Sequence, residues 1–186
     1  MGHGGNVIAE LTADHREVEE YFARLRALPP GDKERRNVLD QVTIELVRHA
    51  VAEEMYLYPA VRQHVPGGEA LADKELREHA EVEQVLKDLE DADIDDARFD
   101  DLVGKLVTDV TEHVRDEEQH LFPSLAQVCS PERLLELGEQ VRRAKKVAPT
   151  RPHPSAPDTP PANKLLAPGA GLVDRARDFV TGRGKS

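Results

Sequence analysis

One motif, written twice, restricts what this chain can fold into. His49-Ala-Val-Ala-Glu53-Glu54-Met-Tyr-Leu57-Tyr58-Pro59 and His113-Val-Arg-Asp-Glu117-Glu118-Gln-His-Leu121-Phe122-Pro123 share the pattern H-x3-E-E-x2-L-aromatic-P. His15-Arg-Glu17-Val18-Glu19 and His79-Ala-Glu81-Val82-Glu83 form a second pair with the same displacement, 113 − 49 and 79 − 15 both being 64. A histidine and a glutamate at i and i+4 share one face of an α-helix, about 6 Å apart at the level of Cβ. A frame repeated in this way implies two similar helical hairpins with a metal site between them.

The spacing of apolar residues supports four long helices. Ile8, Leu11, His15, Val18, Phe22 and Leu25 make one face of a helix from about residue 6 to 28, which Pro29-Pro30-Gly31 ends. A second stripe carries Val38, Val42, His49, Glu53 and Tyr56 on a helix over 32–58, where Pro59 permits a kink and a further turn to His64. The third, over 69–91, carries Ala72, Leu76, His79, Val82 and Leu86. The fourth, over 97–128, carries Leu102, Leu106, Val110, His113, Glu117, His120 and Leu121. The connections are short, so the expected fold is all-α, an antiparallel up-down-up-down four-helix bundle over residues 1–130.

Ser130-Pro131-Glu132 is a helix start, and it predicts an additional helix over 131–148 beside the bundle. Residues 149–168 then hold seven of the 13 prolines, which reads as an extended strap or linker within the segment 149–186. Leu172, Val173, Ala176, Phe179 and Val180 predict a short terminal amphipathic helix that docks on the bundle. Residues 1–5 read as a loose end, with His3 in it an improbable metal contact.

Composition excludes several classes of function. The net charge is −11 at pH 7, which opposes binding to a phosphate backbone, so no nucleic-acid partner is expected. Residues 133–186 nevertheless hold 11 basic and five acidic side chains, so a basic end could fold back onto an acidic body. The single cysteine, Cys129, gives no internal disulfide and fits a reducing compartment. No apolar run spans a bilayer and no cleavable leader is evident, so a cytoplasmic protein without a membrane partner is expected. There is no phosphate-cradling glycine loop after a strand and no nucleophile–histidine arrangement.

Glu53 and Glu117 stand in otherwise apolar stripes, and two ionised carboxylates in a bundle core need compensation. One or two divalent cations supply it directly. Imidazole with carboxylate suits iron, manganese or zinc better than calcium or magnesium. The bland alternative is a buried His–Glu network of purely structural use. Two copies in register with two further histidines favour the metal.

The order His15, His49-x3-Glu53, His79, His113-x3-Glu117 resembles the hemerythrin-like, HHE cation-binding domain over residues 6–128. The resemblance implies a cofactor of two oxo- or hydroxo-bridged iron ions, with manganese or zinc less favoured. His15 and His49 would hold one iron, His79 and His113 the other, with Glu53 and Glu117 bridging them. Each iron then keeps one position open for dioxygen, hydrogen peroxide or nitric oxide. Where the oxygen-carrying hemerythrins put a further histidine one turn after the third-helix ligand, this chain has Glu83. Glu83 is a terminal ligand, a partner of the ligands or a surface acid, and Glu19 occupies the equivalent place after His15. Tyr56 and His120, seven positions after His49 and His113, are expected inward, as ligands, as partners of ligands or as core residues. Glu54 and Glu118 are expected to accept hydrogen bonds or to lie in solvent. The function implied is that of a non-haem diiron protein handling dioxygen, peroxide or nitric oxide, with catalase-type peroxide decomposition as one activity. The alternatives are an oxygen, nitric oxide or iron sensing module without turnover, and a structural helical protein that acts through its tail on an unknown protein partner.

Overall fold

The computed structural model describes residues 4–183, the side chain of Leu165 excepted; His3 lies outside them. Four antiparallel helical columns form the bundle. The first is α1 (Val7–Ala27). The second is continuous through α2 (Glu34–Ala52), a π-helical turn π1 (Glu53–Leu57) and α3 (Tyr58–His64). The third is α4 (Gly68–Asp91), and the fourth runs through α5 (Ala97–Asp116), π2 (Glu117–Leu121) and α6 (Phe122–Val128). Two more helices follow, α7 (Pro131–Val147) and α8 (Ala162–Thr181). Among the described residues no helix is long and apolar enough to cross a membrane.

Local chemistry sets the helix ends. Asn6 Oδ1 accepts from Ala9 N at 3.0 Å, Asp96 Oδ1 from Arg98 N at 2.9 Å and Ser130 Oγ from Arg133 N at 3.2 Å, each satisfying a donor the first turn leaves open. Gly67, at φ +74°, takes the left-handed turn between α3 and α4.

The two π turns have an identifiable cause. Pro59 and Pro123 lack an N–H, and in a regular helix each ring would press on the carbonyl four residues earlier. The chain instead widens by one residue ahead of each proline. Tyr58 N–H donates to Glu53 O, and Phe122 N–H to Glu117 O, each five residues back. The helix therefore continues to His64, and every side chain beyond the bulge is rotated relative to the regular pattern.

Two apolar clusters fill the bundle. One contains Leu11, Leu57, Leu121, Leu125 and, from α7, Leu137 and Val141. The other contains Val18, Phe22, Val42, Leu86, Phe99 and Leu106. His15, between Leu11 and Val18 on α1, stands at their boundary. α7 lies on α1 and α2, and Gly138 makes the approach possible: a Cβ there would come within 2.7 Å of Gly5 O and 2.9 Å of Val7 N.

The basic end does fold back on the acidic body. Lys145 reaches Glu10 and Asp14, Arg151 reaches Glu90, and Arg183 reaches Asp40. Two expectations change here. α8 begins at Ala162, before the proline-rich stretch ends, and carries Pro168 inside it. Its docked face is not the apolar one either: Ala167, Gly171, Asp174 and Asp178 are buried, whereas Leu172, Val173, Phe179 and Val180 are 66–83% exposed. Backbone chemistry decides this orientation. Asp174 Oδ2 accepts from Thr150 N at 3.1 Å and Arg151 N at 3.2 Å, and Asp178 Oδ2 accepts from Thr150 Oγ1 at 2.5 Å. The strap's amide donors, which have no helix or sheet of their own, thus find their acceptors on the polar face of α8.

Candidate metal centre

The six residues of the repeated frame converge. His15, His49, His79 and His113 are at most 8% exposed, and Glu53 and Glu117 are fully buried. Their donor atoms fall into overlapping groups, all within 4.8 Å of one another: His15, His49, Glu53 and Glu117; then Glu53, His79 and His113; then Glu75, His113 and Glu117. His49 Nε2 lies 3.1 Å and His79 Nε2 3.4 Å from Glu53 Oε2, while His15 Nε2 lies 3.4 Å and His113 Nε2 3.7 Å from Glu117 Oε2. His49 and His15 are neighbours, ring centroids 4.9 Å apart, as are His79 and His113.

All four imidazoles face the same way because carboxylates hold their outer nitrogens. Nδ1 of His15 meets Glu118 Oε1 at 2.8 Å, that of His49 meets Asp14 Oδ2 at 3.1 Å, that of His79 meets Glu54 Oε1 at 3.0 Å and that of His113 meets Glu78 Oε2 at 3.0 Å. An acceptor on Nδ1 fixes the tautomer whose Nε2 lone pair points inward. Several of the inner atoms are left over. His15 Nε2, His49 Nε2, Glu53 Oε1 and Glu117 Oε2 are buried with no hydrogen-bond partner among the described residues. Orphaned acceptors at the focus of four imidazoles and two carboxylates are the donor set a first-row transition cation takes, so the residues fit the metal.

The family is decided by comparison with known proteins. The hemerythrin HHE cation-binding domain pattern matches residues 6–125. The chain belongs to the hemerythrin HHE cation-binding family. A hemerythrin-like protein of Schizosaccharomyces pombe is 30% identical over 168 residues, covering 90% of this chain and 82% of that one. A protein named DNA nickase from Nostoc is 29% identical over 140 residues, of which this chain spans 39% of the length. Among solved structures, a hemerythrin HHE domain-containing protein from Mycobacterium kansasii superposes with a TM-score of 0.67 at 23% identity, covering 76% of this chain and 85% of that one. That likeness concerns the fold.

Other expected positions of this hemerythrin-like chain fall elsewhere. His120 is 66% exposed on its side chain and pairs with Asp116 at 2.8 Å. Tyr56 packs at the edge of the core, with Lys164 Nζ 4.4 Å from its ring centroid. A regular helical period predicts both inward, and the π turns Glu53–Leu57 and Glu117–Leu121, within which they lie, break that period. The side chain that comes inward is instead Tyr58, five residues after Glu53. Its hydroxyl, with one proton to donate, lies 3.3 Å from Glu53 Oε2, 3.2 Å from Glu117 Oε1 and 3.0 Å from His79 Nε2. Phe122, its equivalent in the second copy, stacks on His15 with ring planes 6° apart.

Glu83 does not face the centre; its Oε1 accepts from His153 N at 2.7 Å and so anchors the strap. Glu19 is exposed and pairs with Arg16. The extra carboxylate lies one turn before His79 rather than one turn after it. Glu75 is 1% exposed, with Oε2 at 3.0 Å from His113 Nδ1, and burial raises its carboxyl above the usual range. Asp14 and Glu78 also escaped the sequence reading, although each precedes a ligand-type histidine and they are related by the same displacement of 64 (78 − 14).

Proposed function

We propose that this chain holds a pair of iron ions between its two hairpins and uses them on dioxygen or its reduced forms, with hydrogen peroxide as the first substrate to test. His15 and His49 would hold one ion and His79 and His113 the other. Glu53 and Glu117 would be shared, and Glu75 would brace His113 from its Nδ1 side. One observation carries this reading: Glu53 and Glu117 each belong to two overlapping donor groups, so one pair of carboxylates can serve two cations at once. Bound iron supplies a Lewis acid and one-electron redox chemistry.

The chain's own residues do the rest. Asp14, Glu54, Glu78 and Glu118 aim the imidazoles. Tyr58 keeps a proton at the centre, because burial and then the charges of Glu117 and Glu53 push its hydroxyl well above the ordinary value. Among the described residues that hydroxyl is the neutral proton donor lying against both carboxylates, and from beside His79 it could pass a proton to a substrate oxygen. The net charge of −11 favours a small uncharged substrate over a polyanion such as the one in the Nostoc relative's name.

Without metal the cluster is a proton store. Burial pulls His49, His79 and His113 down, but Glu53 and Asp14 outweigh it for His49 and hold it at about 10. Glu53 and Glu54 do the same for His79, at about 10, and Glu117, Glu75 and Glu78 for His113, at about 9. Ligation needs the neutral ring, so metal entry must expel these protons. Iron uptake therefore strengthens as pH rises from 6 to 9 and releases protons, a release that calorimetry in buffers of different ionisation heat measures. Two irons per chain, an oxo-bridge charge-transfer band and steady peroxide consumption are the expected results. One zinc per chain with no such band rejects the reading, and reversible gas binding without turnover moves the function to a sensing module.

A further inference from the structure

The four histidines also form the inner end of a cavity of about 140 Å³ that runs outward to the C-terminal strap. Its bundle walls are apolar, with Val18, Leu46, Val47, Val51, Leu86 and Val110 among them. Its outer wall is the extension itself, through Pro149, Arg151, Pro154, Asn163 and Ala167. An apolar cavity of about 150 Å³ engineered in another protein binds benzene, so the space matches one six-membered ring. Dioxygen or peroxide needs far less.

Two polar atoms on that outer wall have no hydrogen-bond partner among the described residues. Asn163 is 3% exposed; its Nδ2 donates to Asp158 O at 3.0 Å, which fixes the amide, and its Oδ1 has no hydrogen-bond partner among the described residues. Arg151 spends its terminal nitrogens on Glu90 and Asp178, while its Nε–H is buried and unpaired. A buried acceptor and a buried donor left open in this way are costly unless something occupies them. A hydroxyl suits either, since it donates once and accepts through its lone pairs. Charge narrows the choice further: Asp14, Glu54, Glu83 and Asp158 on the wall oppose an anion, and the apolar bundle walls oppose any unpaired charge.

We propose that this cavity binds a small uncharged alcohol built on one apolar ring, its hydroxyl donating to Asn163 Oδ1 and its ring directed toward the histidines. The strap and α8, which lie outside the repeated frame, thereby become part of a binding site and not only a covering. Glu83 serves the same end: by accepting from His153 N it holds the strap against the bundle. The inference depends on the proposed metal centre only for what lies at the cavity's inner end.

The test uses the full chain loaded with zinc, which has no redox chemistry, with metal content measured independently. Benzyl alcohol and toluene are titrated and followed by amide NMR shifts. The alcohol should bind saturably, moving the Asn163 side-chain amide and the backbone amides of Val47 and Val110, and toluene should bind about fivefold more weakly for want of one hydrogen bond. Asn163→Leu should weaken the alcohol about fivefold and leave toluene unchanged. Ala170→Phe, on the cavity wall, should abolish binding of both; Val47→Phe makes the same test from the bundle side if the first variant does not fold. No saturable shift up to the solubility limit overturns the proposal. So does equal binding of the two probes, or binding indifferent to a filled cavity. A chain that takes up no stoichiometric metal yet still binds benzyl alcohol would reject the diiron reading and keep this one.

Discussion

The two hairpins are copies in sequence and unequal as environments. Around His15 and His49 the neighbours are Phe122, Leu11 and the buried pair Asp14–Lys145. Around His79 and His113 the equivalent positions hold Tyr58, Glu75 and Glu78, with Lys74 reaching Glu78 and Asp116 from a partly exposed position. A displacement of 64 turns Phe122 back into Tyr58 and Leu11 into Glu75 (122 − 58 and 75 − 11), so the replacements are local. The first half is the drier one, braced by a cation delivered from α7. The second half carries a hydroxyl and an additional carboxylate. A symmetric frame would thus supply ligands for the two cations proposed, and the departures from symmetry put the hydroxyl and the additional carboxylate in the second half.

The sharpest difference is between the two lysines. Lys145 is 7% exposed and lies 3.1 Å from Glu10 and 2.5 Å from Asp14, which are themselves buried. Lys145→Met leaves those carboxylates without that ammonium in a place water does not reach, a loss of about 3 kcal/mol or more in unfolding free energy. Lys74 is 39% exposed on its side chain, so Lys74→Met should cost less than about 1 kcal/mol despite its more numerous partners. Urea unfolding of the two variants measures both. Equal losses would mean that α7 contributes nothing electrostatic to the first half.

Second in size is the effect of the aromatic pair. Tyr58→Phe makes the second half resemble the first. It should leave metal content at the wild-type value and lower peroxide turnover about a hundredfold, the scale of one positioned proton donor. Phe122→Tyr adds a hydroxyl to the ring stacked on His15, away from His79 and Glu75, and should change turnover less than about threefold on the same scale. If the two substitutions have equal effects, the Tyr58 proton is not used.

Much of this was legible in the sequence, and the misses share one origin. The four columns, the breaks at Pro29-Pro30-Gly31 and Val65-Pro66-Gly67, and the helix start at Ser130 follow from periodicity and capping residues. Convergence of His15, His49, Glu53, His79, His113 and Glu117 follows from a frame repeated at constant displacement, because one helix face is legible where the period is regular. Beyond Glu53 and Glu117 the period is irregular, which removed Tyr56 and His120 from the centre and brought in Tyr58 and Phe122. The prolines were visible; their consequence, one extra residue in the turn before them, was not. α8 was misread for another reason. An apolar stripe is evidence of burial only if no stronger demand competes, and the strap's unpaired amides bound Asp174 and Asp178 instead.

The smallest expected difference concerns the acids behind the histidines. Asp14→Asn and Glu78→Gln each keep the shape of the side chain and remove its charge. In both variants the imidazole loses a carboxylate on Nδ1 and becomes a poorer donor to a cation, which should weaken metal binding about tenfold. The halves separate here as well. Asp14 is 3% exposed and is held below the ordinary carboxylate value because His49 and then Lys145 outweigh its burial. Its loss therefore also leaves Lys145 short of an acceptor, and stability should fall with affinity. Glu78 is a third exposed and His113 still has Glu75 at 3.0 Å, so its loss should fall on affinity alone and be the milder of the two. Zinc competition titrations paired with thermal unfolding read the two quantities separately. A Glu78→Gln variant that loses as much of both as Asp14→Asn would show that Glu75 does not substitute on the second half and that the proposed inequality of the halves fails at its outer shell.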